Sequence, residues 1–243
     1  MTMRSDTFTR RDFLIRSALT AGVLVAPGLC GKSIAQVALE GTDNNRTDVF
    51  YSNPKIAIII DDVGFNIKRV RPFMQLDVPI TFSVLPHLPY SRSLAEKIHA
   101  LGHEIMLHQP MEPHNLFINP GPGALYLSQG SKDMVKIIQK NIESFPYAVG
   151  FNNHMGSRFT ESRPKMEETL KIFKDQNFFF VDSFTSHNSI GFDTAKDMQM
   201  IASFRNEFID NRLEKKYMYS QLQKLKKHAL RYGKAIGIGH PKP

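Results

Sequence analysis

Short apolar runs alternate with segments of helical periodicity from residue 55 onward. The apolar runs are rich in β-branched and aromatic residues, which favours strands. Seven strands are predicted, at residues 55–60, 79–85, 104–107, 147–151, 178–181, 207–209 and 235–238. Between most of them, apolar residues recur every three or four positions, as in 94–101, 134–142 and 166–173, which indicates amphipathic helices. Strands that alternate with helices predict a parallel α/β fold, either a barrel or a doubly wound sheet.

Residues 212–234 predict one long amphipathic helix with a basic face. The segment holds eight Lys or Arg residues and a single acidic residue, Glu214. The whole chain of 243 residues carries a formal net charge of +8. Such an excess indicates an anionic partner only where the folded protein displays it for binding. We interpret this face as solvated helix surface and expect no nucleic-acid partner.

The first 35 residues have the three parts of a secretory signal. The pair Arg10 and Arg11 precedes an apolar run at residues 18–29, and a small-residue segment ends at Ala35. The arginine pair, with Phe and Leu shortly after it, resembles a twin-arginine export signal. The apolar run is shorter than the roughly 20 residues that cross a membrane, so we expect no stable membrane insertion after cleavage.

Cleavage of this signal at residue 35 would change the charge and the length of the protein. It would remove five basic and two acidic side chains, which leaves a net charge of about +5. Residues 36–54 are polar and predict a flexible tether, and residues 55–243 form the predicted domain. A buried N-terminal helix and a lipidated Cys30 are the alternatives for the leader. We expect an exported protein in the periplasm or cell envelope.

Six of the seven predicted strands end next to a carboxylate or an imidazole. The polar residues at these ends are Asp61 and Asp62, His108, Asn152 with Asn153 and His154, Asp182, Asp210 and His240. In parallel α/β folds the carboxyl ends of the strands carry the functional groups, so we expect these residues to meet. Oxygen and imidazole ligands suit a divalent metal such as zinc, with one position left for water.

Four sequence blocks resemble the polysaccharide deacetylase (NodB-like) superfamily, and more closely its divergent branch. They are I-D-D-V-G at 60–64, H-Q-P-M-E-P at 108–113, N-N-H-M-G-S at 152–157 and G-I-G-H-P at 237–241. The resemblance covers about residues 55–241 and implies a distorted (β/α)7 barrel. It also implies a further helix beyond Pro243, so we expect the last C-terminal elements of that barrel to be missing from this chain.

The resemblance also implies roles for individual residues. Asp61 matches the general base and Asp62 a metal ligand. His108 matches the first metal-binding histidine, and His240 matches the histidine that acts as general acid.

The third metal ligand stays open at this point. The position of the usual second metal histidine is occupied by Glu112, which is a departure from the pattern. His154 is the candidate that we favour, since it restores a set of one carboxylate and two imidazoles, and Glu112 is the alternative. Asn153, Asp182 and Asp210 are expected to contact substrate or to orient the ligands, because metal-binding histidines usually donate their other N–H group to a carboxylate.

These observations predict an exported metal-dependent hydrolase. We expect it to remove N- or O-acetyl groups from an acetylated envelope polysaccharide or a peptidoglycan-like glycan, with zinc as the metal. The departure at Glu112 motivates a second hypothesis, a catalytically inactive barrel that binds glycan or an envelope protein. Nucleic-acid binding through the basic helix is a third hypothesis, and it conflicts with export.

Overall fold

The structure, a computed structural model, describes residues 51–242. The predicted export signal and residues 36–50 of the predicted tether lie outside the described residues. One parallel sheet of eight strands forms the centre, in the order β6-β5-β4-β3-β2-β1-β8-β7. The strands are β1 (Lys55–Val63), β2 (Thr81–Val84), β3 (Glu104–Met111), β4 (Ala148–Met155), β5 (Phe179–Asp182), β6 (Ala202–Phe204), β7 (Glu207–Phe208) and β8 (Lys234–Gly239).

Six α-helices and one short 3-10 helix connect the strands. The α-helices are α1 (Ile67–Met74), α2 (Ser91–Ala100), α3 (Ser131–Glu143), α4 (Arg163–Asp175), α5 (Gly191–Asp197) and α6 (Lys215–Tyr232), and the 3-10 helix is Phe159–Glu161. The predicted basic amphipathic helix is therefore confirmed as α6, which buries Leu225 and Ala229. In the described part of the chain, no helix combines the length and the apolar character that a membrane crossing requires.

The two edges of the sheet are joined by two residues, which forces the sheet to curl. Strands β6 and β7 stand at opposite ends of the strand order, yet only Arg205 and Asn206 separate them. The Arg205 N–H donates to the carbonyl of Asp182 on β5, and the Asn206 N–H donates to the carbonyl of Ile236 on β8. The sheet is thus a curled, barrel-like layer with helices outside, which confirms the predicted α/β barrel class.

Every predicted strand is present, but the prediction missed one strand and placed three strand ends three or four residues too early. Strand β6 has only three residues, too few to show an alternating pattern. Strands β1, β3 and β4 continue to Val63, Met111 and Met155, so the polar residues of these blocks lie within the strands.

Strand alternation divides the side chains between an inner and an outer layer. Ile59, Met106 and Ile238 pack in a cluster inside the curled sheet. Their sequence neighbours Ile60 and Leu107 pack outside, against the helices. The two layers fix which polar residues near the strand ends face the barrel interior.

Phe151 on β4 is central to the outer layer. Its ring is fully buried and stacks on Phe173 of α4, with the ring centroids 3.7 Å apart. We expect Phe151→Ala to lower the free energy of unfolding by about 3–5 kcal/mol, because it leaves a cavity that a packed core fills poorly. Urea denaturation measures this change.

Phe117→Ala is the matched control, because the Phe117 ring is fully exposed. We expect it to change the free energy of unfolding by less than about 0.5 kcal/mol. Equal losses in the two variants would contradict the assignment of Phe151 to the core.

Candidate metal and catalytic site

Five polar side chains share the inner face where the strands reach the barrel mouth. Four of them stand two residues beyond an inward-facing apolar residue of the same strand, and His154 stands four residues beyond one. Side chains alternate between the two faces of a strand, so all five face inward. They are Asp61 on β1, His108 on β3, Asn152 and His154 on β4, and His240 just after β8. Parallel pairing aligns His108 with Asn152 across β3 and β4, which brings the groups of these strands side by side.

Asp62 reaches the same mouth by breaking the alternation. In a regular strand, the adjacent Asp61 and Asp62 would face opposite sides of the sheet. Asp62 instead has a φ of 57°, and the register of β1 against β2 shifts between Ile60 and Val63. Aspartate tolerates this left-handed conformation better than most residues. The local distortion therefore places both carboxylates at the mouth.

Three potential ligand atoms converge, one each from Asp62, His108 and His154. Its Oδ1 atom lies 3.2 Å from His108 Nε2 and 2.9 Å from His154 Nδ1. The two imidazole nitrogens are 3.1 Å apart. Ligand atoms around a tetrahedral zinc ion, at bond lengths near 2.0–2.2 Å, lie about 3.3 Å from one another. The three atoms are thus gathered at nearly the spacing that zinc requires.

The donor set and the state of Asp62 Oδ1 both fit a divalent cation. This oxygen is buried and has no hydrogen-bond partner among the described residues. Leaving a buried charged oxygen without a partner is costly, and a cation would satisfy it. One carboxylate oxygen and two imidazole nitrogens are ordinary zinc ligands, and three protein ligands leave a position for water.

The pKa shifts show that this site favours positive charge between its carboxylates. Burial opposes ionisation of Asp62, but contacts with His108 and His154 outweigh it and hold the Asp62 pKa well below its ordinary value. Burial also opposes a charge on His108, yet the charges of Asp61 and Asp62 raise its pKa. The His154 pKa is lowered by burial first of all, which keeps a ring nitrogen free to bind a metal.

Asn152 connects Asp61, the predicted general base, to His108, the predicted first metal-binding histidine. The His108 Nδ1–H group donates to Asn152 Oδ1 at 2.7 Å, and Asn152 Nδ2 donates to both Asp61 carboxylate oxygens, at 2.9 and 3.1 Å. The proton on Nδ1 leaves the His108 Nε2 lone pair free to face the ligand cluster. Burial raises the pKa of Asp61, and the Asn152 hydrogen bonds act in the opposite direction.

His240 and Asp210 form the opposite side of the mouth. The His240 ring nitrogen Nδ1 lies 3.0 Å from Asp210 Oδ1, and the His240 backbone N–H donates to Asp210 Oδ2 at 2.8 Å. Burial opposes a charged His240, but the Asp210 hydrogen bond and the charges of Asp61 and Asp62 raise its pKa. Asp210 is buried as well, and its bonds to His240 lower its pKa. The pair favours a protonated imidazole.

Glu112, the alternative third ligand, is engaged elsewhere. Its Oε1 atom forms a salt bridge with Arg158, and its Oε2 atom accepts the Leu127 N–H at 2.6 Å. Both carboxylate oxygens are therefore committed to fixing the loop after β3. The group of ligand atoms that the structure gathers contains His154 and not Glu112.

Asn153 and Asp182 lie on the outer side of their strands and do not join the cluster. Asn153 accepts the Ser183 N–H at 2.8 Å and donates to the Met155 carbonyl. Asp182 accepts from the Ser189 hydroxyl at 2.7 Å and from the backbone N–H groups of Phe184, before α5, and Phe192, in α5. We expected both residues to contact substrate or to orient the metal ligands. In the structure their hydrogen bonds anchor loops, because strand alternation directs both side chains away from the mouth. The same alternation identifies Asn152 as the inward residue, a signal that the sequence contains.

Arg205 is a cation near His240 that no sequence pattern predicted. Its guanidinium donates to the carbonyls of Ser183 and Phe184 and lies 3.7 Å from the centroid of the Phe208 ring. The Phe208 ring in turn packs beside His240, with centroids 5.8 Å apart. Burial lowers the pKa of Arg205, while nearby carboxylates oppose that shift. Nothing in the local sequence signals this role, because it depends on the closure between β6 and β7.

Comparisons with known proteins point to one family. The family model for divergent polysaccharide deacetylases matches residues 58–243. The uncharacterized protein YibQ of Escherichia coli K12 is 32% identical over 192 residues, which cover 78% of this chain and 59% of that protein. An uncharacterized protein of Haemophilus influenzae is 28% identical over 197 residues, which cover 81% of this chain and 70% of that protein. This chain therefore spans about three fifths of the length of the E. coli relative.

A solved structure shares the fold. The crystal structure of an uncharacterized protein from Agrobacterium tumefaciens C58 superimposes with a TM-score of 0.74 at 22% sequence identity. The match covers 78% of each chain. At this identity the likeness establishes the barrel fold of the described residues.

The Asn152 bridge predicts a loss of both stability and metal affinity when it is removed. Asn152→Ala leaves the buried Asp61 carboxylate and the His108 N–H group without their partner. We expect the free energy of unfolding to fall by about 1–3 kcal/mol. We also expect zinc affinity, measured by competition with a chelating dye, to fall by about 10- to 100-fold.

Asn153→Ala is the neighbouring control. It removes the hydrogen bonds to Ser183 and Met155 and should lower stability without a comparable loss of zinc affinity. Equal zinc affinities for Asn152→Ala and Asn153→Ala would show that Asn152 does not position His108.

Proposed function

This chain belongs to the divergent polysaccharide deacetylase family, and from that premise we propose that it is a metal-dependent hydrolase that removes acetyl groups from an envelope carbohydrate. The observation that carries the proposal is the convergence of His108 and His154 on the Oδ1 atom of Asp62. This oxygen is buried and has no hydrogen-bond partner among the described residues. Asp61 and His240 lie beside this cluster, on the neighbouring strand β1 and just after β8. The arrangement supplies a metal site, a base and an acid within one mouth.

Asp62 Oδ1, His108 Nε2 and His154 Nδ1 are the atoms that would hold the metal. A divalent cation bound there would supply Lewis-acid activation of water and of the acetyl carbonyl. Asp61 borders the cluster, with its Oδ2 atom 3.7 Å from His108 Nε2. The Asn152 amide holds both Asp61 oxygens in place, and burial raises the Asp61 pKa, which makes this carboxylate a stronger base.

We assign each of the two proton transfers to a different residue at the mouth. Asp61 accepts a proton as water attacks the acetyl carbonyl, and a new carbon–oxygen bond forms. The bond from the acetyl carbon to the sugar nitrogen or oxygen then breaks. His240, which Asp210 keeps protonated, donates a proton to that leaving atom. The products are acetate and a free amine or hydroxyl group on the sugar.

The substrate class follows from the family and from the leader sequence. The family acts on carbohydrate, and the first 35 residues have the pattern of an export signal. An exported enzyme meets the glycans of the envelope, so we propose an acetylated envelope polysaccharide or a peptidoglycan-like glycan as substrate.

An inactive, glycan-binding barrel is the second candidate. The observation in its favour is Glu112, which stands at the position of a metal histidine and is neutralised by Arg158. Against it, His154 completes a three-ligand set without Glu112, and both proton-transfer residues keep their partners. The hydrolase is the stronger candidate for this reason.

Ligand substitutions test the proposed metal site. We expect His154→Gln to weaken zinc binding by more than about 100-fold, beyond the loss caused by an outer hydrogen-bond partner, because it removes a ligand. Glu112→Gln should keep zinc at about one equivalent, since Glu112 contacts Arg158 and Leu127. Metal content after dialysis measures both.

The same proteins test the reaction. Wild type loaded with zinc should release acetate from acetylated chito-oligosaccharide or from peptidoglycan fragments, and His154→Gln should not. Zinc lost from Glu112→Gln but kept by His154→Gln would reverse the ligand assignment. Zinc binding in wild type with no acetate release from any acetylated glycan would favour the inactive barrel.

We further propose that residues 1–35 direct export to the periplasm or cell envelope. Replacing Arg10 and Arg11 together by Lys should reduce the periplasmic fraction by about tenfold or more, because the arginine pair is the defining feature of such signals. Cell fractionation with immunoblotting measures the distribution. Arg16→Lys serves as the control, and equal periplasmic fractions for all three proteins would contradict twin-arginine export.

A further inference from the structure

A small cavity adjoins the proposed metal site on the side of His240. It has a volume of about 180 Å³ and lies between the start of α1 and the segment after β8. Asp62 and His240 form its inner wall, and Phe65, Arg69 and Lys242 stand around them. A group bound in this cavity would therefore lie directly beside the proposed reaction centre.

The size of the cavity limits what it can hold. Its volume corresponds to roughly six water molecules at about 30 Å³ each. Sites that enclose a whole small-molecule ligand usually span about 300–1,000 Å³. The cavity is thus suited to a single substituent of a glycan and not to several sugar units.

The charges around the cavity favour an anion. Arg69 is exposed and has no ion-pair partner among residues 51–242. Lys242 is held at the cavity because its Nζ donates to the Asp210 carbonyl at 2.8 Å and lies 3.6 Å from the Asp210 carboxylate oxygen Oδ2, so part of its charge is compensated by Asp210. Asp62, the carboxylate in the cavity lining, is directed at His108 and His154 and forms no ion pair with Arg69 or Lys242.

The two cations come from segments far apart in sequence, and the fold brings them to one cavity. A guanidinium presents paired N–H donors that match the oxygens of a carboxylate or a phosphate, and an ammonium adds a compact positive charge. The exposed ring of Phe65 supplies an apolar wall next to them. Together these groups match a small oxyanion attached to a larger, partly apolar molecule.

We propose that this cavity binds an oxyanion substituent, a carboxylate or a phosphate, on the glycan whose acetyl group is removed. The inference rests on the proposed deacetylase function and narrows its substrates to acidic glycans. Arg69 is the specificity-determining residue, and Lys242, which is ion-paired with Asp210, has a supporting role.

The test measures binding, so that it does not depend on turnover. Three acetylated disaccharides of equal length are compared, one neutral, one carboxylated and one phosphorylated, by calorimetric titration of the zinc-loaded protein. We expect wild type to bind at least one acidic disaccharide about tenfold more tightly than the neutral one, as a charge-assisted hydrogen bond in a partly exposed site allows. The carboxylated and phosphorylated arms identify which oxyanion the cavity accepts.

Variants of two arginines on α1 test whether Arg69 causes the preference for acidic disaccharides. Arg69→Gln should reduce the ratio of neutral to acidic dissociation constants to near one, and Arg69→Lys should keep part of the preference. Arg71→Gln is the matched control, because Arg71 lies on the same helix but borders a different cavity. It should keep the wild-type ratio.

The outcomes separate this inference from the proposed function. Equal affinity for neutral and acidic disaccharides, no measurable binding of any of them, or a preference that survives Arg69→Gln would overturn the inference. Acetate release from the neutral disaccharide in those cases would leave the deacetylase proposal intact. A preference that depends on Arg69, without acetate release from any disaccharide, would instead refute the deacetylase proposal and retain the acidic-glycan site.

Discussion

Two adjacent carboxylates at the barrel mouth, the buried Asp61 and the partly exposed Asp62, are the constraint on which the site depends. Burial of the Asp61 carboxylate and of the Asp62 Oδ1 atom makes their negative charge costly unless donors or cations compensate it. The protein meets this cost unevenly. Asp61 receives two hydrogen bonds from Asn152, whereas one oxygen of Asp62 faces two imidazole nitrogens without a hydrogen-bond partner. This difference supports the proposed roles of Asp61 as a base and of Asp62 as a metal ligand.

The closure of the curled sheet supplies the other half of the site. The short link between β6 and β7 carries Arg205 from one edge of the sheet to the other, and Asp210 follows shortly after it. Asp210 can then bind His240 from β8, while Arg205 packs on Phe208 beside the same imidazole. The acid side of the mouth therefore depends on backbone closure as much as on the residues themselves.

The departure at Glu112 is accompanied by a histidine on β4, His154, that we propose as the third ligand. Glu112 faces Arg158 and fixes the loop after β3, and His154 occupies the space beside Asp62 and His108. Because β3 and β4 are paired in parallel, a side chain on either strand can reach the mouth. Glu112 paired with Arg158 therefore leaves the group of Asp62, His108 and His154, which we propose as the metal site, unchanged.

The sequence by itself determined the barrel class, seven of the eight strands and the identity of the polar residues at the mouth. Hydrophobic alternation also contained the information that places Asn152 and His154 inward and Asn153 and Asp182 outward, because side chains on a strand alternate between two faces. Only the tertiary structure decided that Asp62 breaks this rule. Its left-handed backbone and the shifted register of β1 arise from pairing with β2, which no local pattern reveals. The partners of Glu112 and His240 were likewise decided by contacts between residues distant in sequence, since hydrogen bonds and charges act between neighbours in space.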